Sequence, residues 1–199
     1  MATRIAVLAS GSGTNLQAIL DHHAQQGSFA AGVVALVAAN RDSAQALERA
    51  RAAGIALEVF DATDDGTALL DLLATHAIDL VVLAGYLKII PPAVIRQFQG
   101  RIINIHPGLL PDFGGPGMYG ARVHAAVIGS GATMTGVTVH FVDDELDHGP
   151  VIAQWRVRVR TGDTAESLAN RVLAVEHVVY PRVVEMVAAL NASDHIADF

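Results

Sequence analysis

Cysteine is absent from the 199-residue chain, and several classes of site are excluded with it. Disulfide bonds, thiolate nucleophiles and cysteine-ligated metals are ruled out, so any catalysis has to use other side chains. Charged residues make up only 17% of the sequence against 52% hydrophobic residues, which favours a large buried core over general disorder. We therefore expect one folded domain over residues 1–199.

The sequence also lacks an excess of basic residues and a long apolar run near its start. Its 13 Lys and Arg residues against 20 Asp and Glu residues give a net charge of -7, which argues against a nucleic-acid partner. The alternating Arg156, Arg158 and Arg160 fit the solvent face of a strand better than a binding patch. The apolar stretch at residues 5–9 is too short for a signal peptide or a membrane span, so a cytoplasmic location is the expectation.

Apolar, β-rich segments alternate with segments of helical spacing through the first two thirds of the chain. Consecutive apolar positions such as Val81, Val82 and Leu83 are typical of parallel strands that are buried on both faces. The alternation predicts a doubly wound, mostly parallel, Rossmann-like α/β sheet. Strands are predicted at residues 4–9, 33–39, 57–60, 80–84 and 101–105, and helices at 15–25, 43–53, 67–76 and 92–98.

The pattern changes after residue 105. Residues 107–120 contain three prolines and five glycines and predict a loop, followed by a short helix near residues 121–130. The alternating segments 135–141 and 151–159 predict an antiparallel C-terminal extension of the sheet. A long amphipathic helix is expected from Thr164, which would cap it, to about residue 190.

The segment RIINIHPG, residues 101–108, is the most informative motif. Because side chains alternate along a strand, Asn104 and His106 should project from the same face. An amide donor can polarise a carbonyl, and an imidazole can move a proton, especially when a carboxylate such as Asp147 of DDELDHG (residues 143–149) joins them. The motif therefore indicates acyl chemistry without a covalent intermediate.

A second motif, SGSGTN at residues 10–15, joins the first strand to the first helix. Its glycines and the helix N-terminus would bring backbone N–H groups to an anion, so phosphate binding is the functional interpretation. A simple capped turn without a ligand is the alternative. A dinucleotide-binding loop fits poorly, because Leu16 replaces the third glycine and Asn40-Arg41 ends the second strand where an acid would be expected.

Seven segments, in order over nearly the whole chain, resemble the phosphoribosylglycinamide formyltransferases of purine synthesis, which use 10-formyltetrahydrofolate. They are SGSGTNLQA (10–18), LERARAAG (47–54), LAGYLKI (83–89), INIHP (103–107), GVTVHFV (136–142), ELDHGPV (145–151) and EHVVYP (176–181). The resemblance implies the formyltransferase fold, with a phosphate-binding half at about residues 1–100 and a catalytic, folate-binding half at about 101–199. It implies 10-formyltetrahydrofolate as co-substrate and glycinamide ribonucleotide as acceptor.

The resemblance also implies a role for individual residues. The implied catalytic residues are Asn104, His106 and Asp147; the substrate phosphate and ribose residues are Gly13, Thr14, Asn15 and Glu176; the folate residues are Leu87, Lys88, Ile89, Ile90, Asn104 and Asp143. It places His140 near the active site. Whether His140 packs behind the site or contacts a substrate directly stays open. Formyl transfer from one amine to another needs no Ser or Cys nucleophile, in agreement with the absence of cysteine.

Within this scheme, Asn104 and a protonated His106 would stabilise the oxyanion. Asp147 would raise the pKa of His106 and take part in proton transfer, either directly or through a water. No metal site is predicted, because no metal-binding His or carboxylate spacing appears. The expected partners are small-molecule substrates, without nucleic acid or membrane, and the protein is expected to be a monomer or a homodimer.

Three departures from the family pattern stand out. Leu173 occupies a position where Lys or Gln is common, no arginine for the folate tail occurs near residues 64–67, and the loop at 111–120 is richer in glycine. Related formyl enzymes that act on methionyl-tRNA or hydrolyse formyltetrahydrofolate carry an additional domain, for which this chain has no room. Two alternatives stay open: a formyltetrahydrofolate hydrolase, and a non-catalytic nucleotide-binding module.

Overall fold

The computed structural model of the chain describes residues 2–192. Its seven strands form one sheet in the order β3-β2-β1-β4-β5-β6-β7. The strands are β1 (Thr3–Ala9), β2 (Gly32–Ala39), β3 (Ala56–Val59), β4 (Leu80–Leu83), β5 (Ile102–His106), β6 (Met134–Phe141) and β7 (Val151–Arg158). The helices are α1 (Thr14–Gln26), α2 (Gln45–Ala52), α3 (Thr67–Thr75), α4 (Pro92–Gln97), α5 (Ala121–Ser130) and α6 (Ala165–Ala192).

The predicted fold class is confirmed, because the first five strands run parallel, β6 pairs antiparallel with β5, and β7 pairs antiparallel with β6. The predicted boundaries agree with the observed ones or differ from them by one or two residues. At β5 the difference affects the site: the strand continues through His106, which the prediction had placed just beyond its end. Pairing with β6 accounts for the extension, since His106 lies opposite Thr138 in the antiparallel register.

Helices cover both faces of the sheet and divide the core into two apolar clusters. The larger cluster packs α1, α2, α5 and α6 against one face, and the smaller packs α3 and α4 against the other. Both clusters include residues of the same central strands. The successive β1 residues Val7 and Leu8, for example, point to opposite faces of the sheet, and both are fully buried. This two-sided burial is the reason for the nearly continuous apolar runs in the sequence.

The long helix α6 is fixed at its start and at its middle. The Ser167 amide donates to Thr164 Oγ1 at 3.1 Å and the Thr164 amide donates to Ser167 Oγ at 3.0 Å, which confirms the predicted cap. The fully buried Tyr180 hydroxyl lies 2.8 Å from the Leu83 carbonyl, where it donates at the end of β4. This contact holds α6 against the carboxyl ends of the central strands and so places Glu176, one turn earlier, at the same edge.

Candidate active site

A cleft of about 870 Å³ opens at the carboxyl ends of β1, β4 and β5. Most of its lining comes from residues 85–90 after β4, residues 115–121 after β5, residues 143–147 after β6, and one face of α6. Ligands of open α/β sheets bind in this position, because the loops that follow neighbouring parallel strands meet there. The cleft gathers residues that lie far apart in the sequence, from Asn15 to Glu176.

Asn104 and His106 line this cleft together with Asp147. His106 is only 3% exposed, and its Nδ1 lies 3.5 Å from Asp147 Oδ2. Its other ring nitrogen, Nε2, lies 2.7 Å from the carbonyl oxygen of Phe113. Because a carbonyl only accepts, Nε2 carries the proton in this contact, and Nδ1 faces the carboxylate.

Asp147 is fixed in a tight loop that follows β6. Its backbone adopts a left-handed conformation with φ of 56°, and its Oδ2 accepts a 3.0 Å hydrogen bond from the Gly115 amide. Two residues later, a Cβ on Gly149 would lie 2.0 Å from the Phe141 carbonyl oxygen, so this position leaves no room for any other residue. The sequence DDELDHG therefore folds tightly against the end of β6 and presents the Asp147 carboxylate to His106.

His140 is a fourth member of this group, whose role the sequence left open. It is the cross-strand neighbour of Asn104, and its Nδ1 donates to the Phe141 carbonyl at 2.8 Å. Its Nε2 is then free to accept from the Asn104 amide at 3.2 Å, and it lies 3.7 Å from Asp147 Oδ1. Burial lowers the pKa of His140, which favours the neutral ring that this pattern requires. Only the β5–β6 register reveals the contact.

The lining of the cleft also includes a buried carboxyl group. Glu176 is 7% exposed, and its Oε2 accepts a 2.7 Å hydrogen bond from Asn15 Nδ2. Burial raises the pKa of Glu176, while the bond from Asn15 acts in the opposite direction. Among the described residues the Asn15 Oδ1 atom has no partner. Leu173 lines the cleft one turn before Glu176 and adds an apolar surface there.

The other two residues predicted to hold the phosphate lie beside the cleft. Thr14 lines a smaller depression of about 450 Å³ between α1 and α6, and neither Thr14 nor Gly13 belongs to the lining of the large cleft. The backbone is more informative than these side chains. Within residues 2–192, the amides of residues 11–16 donate no hydrogen bond, which leaves six consecutive N–H groups unused.

The predicted folate residues Leu87, Lys88, Ile89, Ile90 and Asp143 all line the cleft. Leu87 is 57% exposed and Ile89 is 75% exposed, although both are large apolar side chains. Exposed apolar groups that border a concave site are typical of a binding surface for a partly apolar ligand. Asp143 accepts from the Glu145 amide at 3.0 Å and lies 2.8 Å from His148 Nδ1, so its carboxylate is fixed at the rim.

Across residues 2–192, no group of three or more His, Asp or Glu side chains has the geometry to hold a metal ion. None of the helices in this part of the chain combines the length and apolar character that crossing a membrane requires.

Comparison with known proteins gives a consistent result. A sequence model described as formyl transferase matches residues 3–184. The phosphoribosylglycinamide formyltransferase of Escherichia coli is 42% identical over 190 residues, which cover 92% of this chain and 86% of that protein. A chloroplastic phosphoribosylglycinamide formyltransferase of Arabidopsis thaliana is 44% identical over 91% of this chain, which spans only 64% of that relative's length.

Solved structures agree with the sequence relatives. The crystal structure of glycinamide ribonucleotide transformylase 1 from Geobacillus kaustophilus has a TM-score of 0.86 and 39% identity, covering 94% of this chain and all of that one (100%). Phosphoribosylglycinamide formyltransferase from Anaplasma phagocytophilum also gives a TM-score of 0.86, at 38% identity over 94% of this chain and 87% of that one.

Proposed function

The chain belongs to the formyl transferase family, and we propose that it transfers the formyl group of 10-formyltetrahydrofolate to the glycine amine of phosphoribosylglycinamide, a step of purine synthesis. The observation that carries the proposal is the buried network that joins Asn104, His106, His140 and Asp147 in a single cleft. Apolar side chains line part of this cleft, and its buried carboxyl group accepts from Asn15, one of the six residues whose amides are unused.

The amide of Asn104 is suited to stabilise the oxyanion that forms when the amine attacks the formyl carbon. One of its two N–H groups is directed at His140 Nε2, which fixes the rotation of the amide. The second N–H is then available to the formyl oxygen, and a donor oriented in advance stabilises the developing charge without reorganisation. His106 adds its own N–H to the oxyanion when the substrate replaces the Phe113 carbonyl at Nε2.

Proton transfer uses the other side of the same network. The attacking amine loses a proton and the departing folate nitrogen gains one, so the site must both accept and donate. In the proposal the Asp147 carboxylate, which lies 3.5 Å from His106 Nδ1, serves this exchange through the ring or through a bound water. The formyl group passes directly through a tetrahedral intermediate and no covalent bond to the enzyme is formed, because the substrate amine is itself the nucleophile.

In the same proposal, residues 1–199 form one domain, with a phosphate-binding half at about 1–100 and a catalytic, folate-binding half at about 101–199, and each substrate contacts residues of both halves. Gly13, Thr14, Asn15 and Glu176 hold the phosphate and ribose of the ribotide, and the 87–90 segment with Asp143 holds the folate. The six unused amides of residues 11–16 support the first assignment, and the exposed Leu87 and Ile89 support the second. A cytoplasmic location and a monomeric or homodimeric state complete the proposal; cell fractionation and sedimentation test them.

An absorbance assay for deformylated folate, with and without glycinamide ribonucleotide, tests the activity directly. We expect deformylated folate to appear only when the ribotide is present, in equal amount to the formylated product. Release of formate without the ribotide would indicate a formyltetrahydrofolate hydrolase instead. Binding of the ribotide without any turnover would indicate a non-catalytic nucleotide-binding module.

A further inference from the structure

The loop between β1 and α1 has an unusual distribution of hydrogen bonds. The carbonyl oxygens of all four residues 10–13 accept hydrogen bonds from groups outside the loop. The Ser10 carbonyl accepts from the Arg41 guanidinium, the Gly11 carbonyl from the Ala46 amide at 3.2 Å, the Ser12 carbonyl from Arg49 Nε at 2.8 Å and the Gly13 carbonyl from the Gln17 amide at 2.9 Å. The unused amides of residues 11–16 are therefore the only backbone groups in this segment that are available to a ligand.

Two of these four donors are positively charged side chains, and both come from the region of α2. Arg41 lies between β2 and α2, and Arg49 lies within α2, one turn after Ala46. A guanidinium that donates to a carbonyl holds that carbonyl more strongly than a neutral donor does. It also places positive charge behind the loop, which raises the affinity of the opposite side for an anion.

Packing keeps Arg49 in place. Its Nη1 donates to Gln17 Oε1 at 3.1 Å, so one guanidinium bridges the loop and the first turns of α1. Gly13 packs so closely on α2 that a Cβ there would lie 2.7 Å from the Ala46 Cα atom. The position of α2 and the conformation of the loop therefore depend on each other.

We propose that Arg41 and Arg49 are positioning residues for the substrate phosphate: they turn the Ser10 and Ser12 carbonyls away from the site so that the loop presents only N–H groups. Neither arginine contacts the phosphate itself in this proposal. Without them, these carbonyls are free to rotate toward the ligand and repel its negative charge. The inference depends on the proposed function only for the identity of the ligand.

The test measures binding rather than turnover. Isothermal titration gives the Kd of glycinamide ribonucleotide and that of its dephosphorylated riboside for the wild type, Arg49→Gln, Arg49→Lys and Arg41→Gln. The ratio of the two Kd values within one preparation does not depend on the fraction of folded protein. A general structural defect would weaken both ligands equally, whereas the loss of a charge-assisted contact to the loop weakens mainly the phosphorylated one.

We expect the preference for the ribotide to fall about 10- to 100-fold in Arg49→Gln, the range for a lost charged hydrogen bond, and less in Arg49→Lys, which keeps the charge. Arg51→Gln is the control, because Arg51 lies on the same helix and its guanidinium pairs with the exposed Glu48 instead of the loop. A preference within twofold of wild type in both Arg49→Gln and Arg41→Gln would overturn the inference, as would an equal loss in Arg51→Gln. A wild type that binds the ribotide but transfers no formyl group would overturn the proposed function alone.

Discussion

The side-chain amide of Asn104 donates to Nε2 of His140 across the β5–β6 pair, over a distance of 3.2 Å. The other ring nitrogen, Nδ1, donates to the backbone carbonyl of Phe141, so the tautomer of His140 and the orientation of Asn104 are determined together. In the proposed mechanism the free N–H of Asn104 stabilises the oxyanion. His140 is thereby a positioning residue for that donor.

Replacement of His140 by alanine removes the acceptor and allows the Asn104 amide to rotate. We expect kcat for formyl transfer to fall about 10-fold, the effect of losing one buried hydrogen bond, with little change in the KM of either substrate. The measurement is steady-state kinetics with both substrates varied. His76→Ala is the control, since His76 lies at the end of α3, away from the cleft. A rise in KM without a change in kcat would contradict this role.

Asp147→Asn and His106→Ala should each reduce turnover at least about 100-fold, because each removes a group that the transition state requires. The Kd of the ribotide, measured by titration calorimetry, should stay close to the wild-type value. Asp112→Asn provides a matched loss of charge, since Asp112 is exposed and does not line the cleft. Near-normal turnover in either variant would remove that residue from the proposed mechanism.

Ribotide binding should weaken as the pH falls from 7 toward 5. Burial raises the pKa of Glu176, so this carboxylate takes up a proton at higher pH than an ordinary glutamate and becomes a poorer acceptor for ribose hydroxyls. Glu176→Gln should bind weakly at every pH, with a flatter profile. Titration calorimetry between pH 5 and pH 8 compares the two proteins; parallel profiles would assign the pH dependence to another group.

The same shift predicts the sign of a stability effect. Because the folded protein binds this proton more tightly than the unfolded chain does, Glu176 contributes most to the free energy of unfolding below the ordinary pKa of 4.5. The contribution decreases as the pH rises through the higher pKa of the folded state. Denaturant titrations of wild type and Glu176→Gln should therefore differ more at pH 7 than at pH 4, with the glutamine variant relatively more stable at pH 7.

Gly13→Ala should destabilise the fold, whereas Gly11→Ala should not. Gly13 has a φ of 69°, and an added Cβ would lie 2.7 Å from Ala46 Cα; at Gly11 an added Cβ would meet no atom within 4 Å. We expect the free energy of unfolding to fall by about 2 kcal/mol or more in Gly13→Ala, from left-handed strain together with overpacking. Urea denaturation measures both variants, and equal stabilities would show that α2 can move away from the loop.

Much of the fold followed from local patterns. The apolar runs of β1, β4 and β5, the helical spacing of α1 to α4 and the cap at Thr164 are properties of short segments, and the structure confirms them. The boundaries do not follow from local patterns alone, because tertiary pairing extends or shortens an element, as the Thr138 partner does for His106 in β5. The roles assigned to individual site residues are still predictions, although the structure brings most of them into one cleft.

The sequence by itself determined that a donor and an imidazole share a strand face at Asn104 and His106, and that no thiol takes part, because strand periodicity and composition are local properties. The tertiary structure decided that His140 orients Asn104 and that α2 holds the carbonyls of the glycine loop. Those contacts join residues 36 and 37 positions apart, respectively, along the chain. They depend on strand register and helix packing, which arise only when the whole sheet has formed.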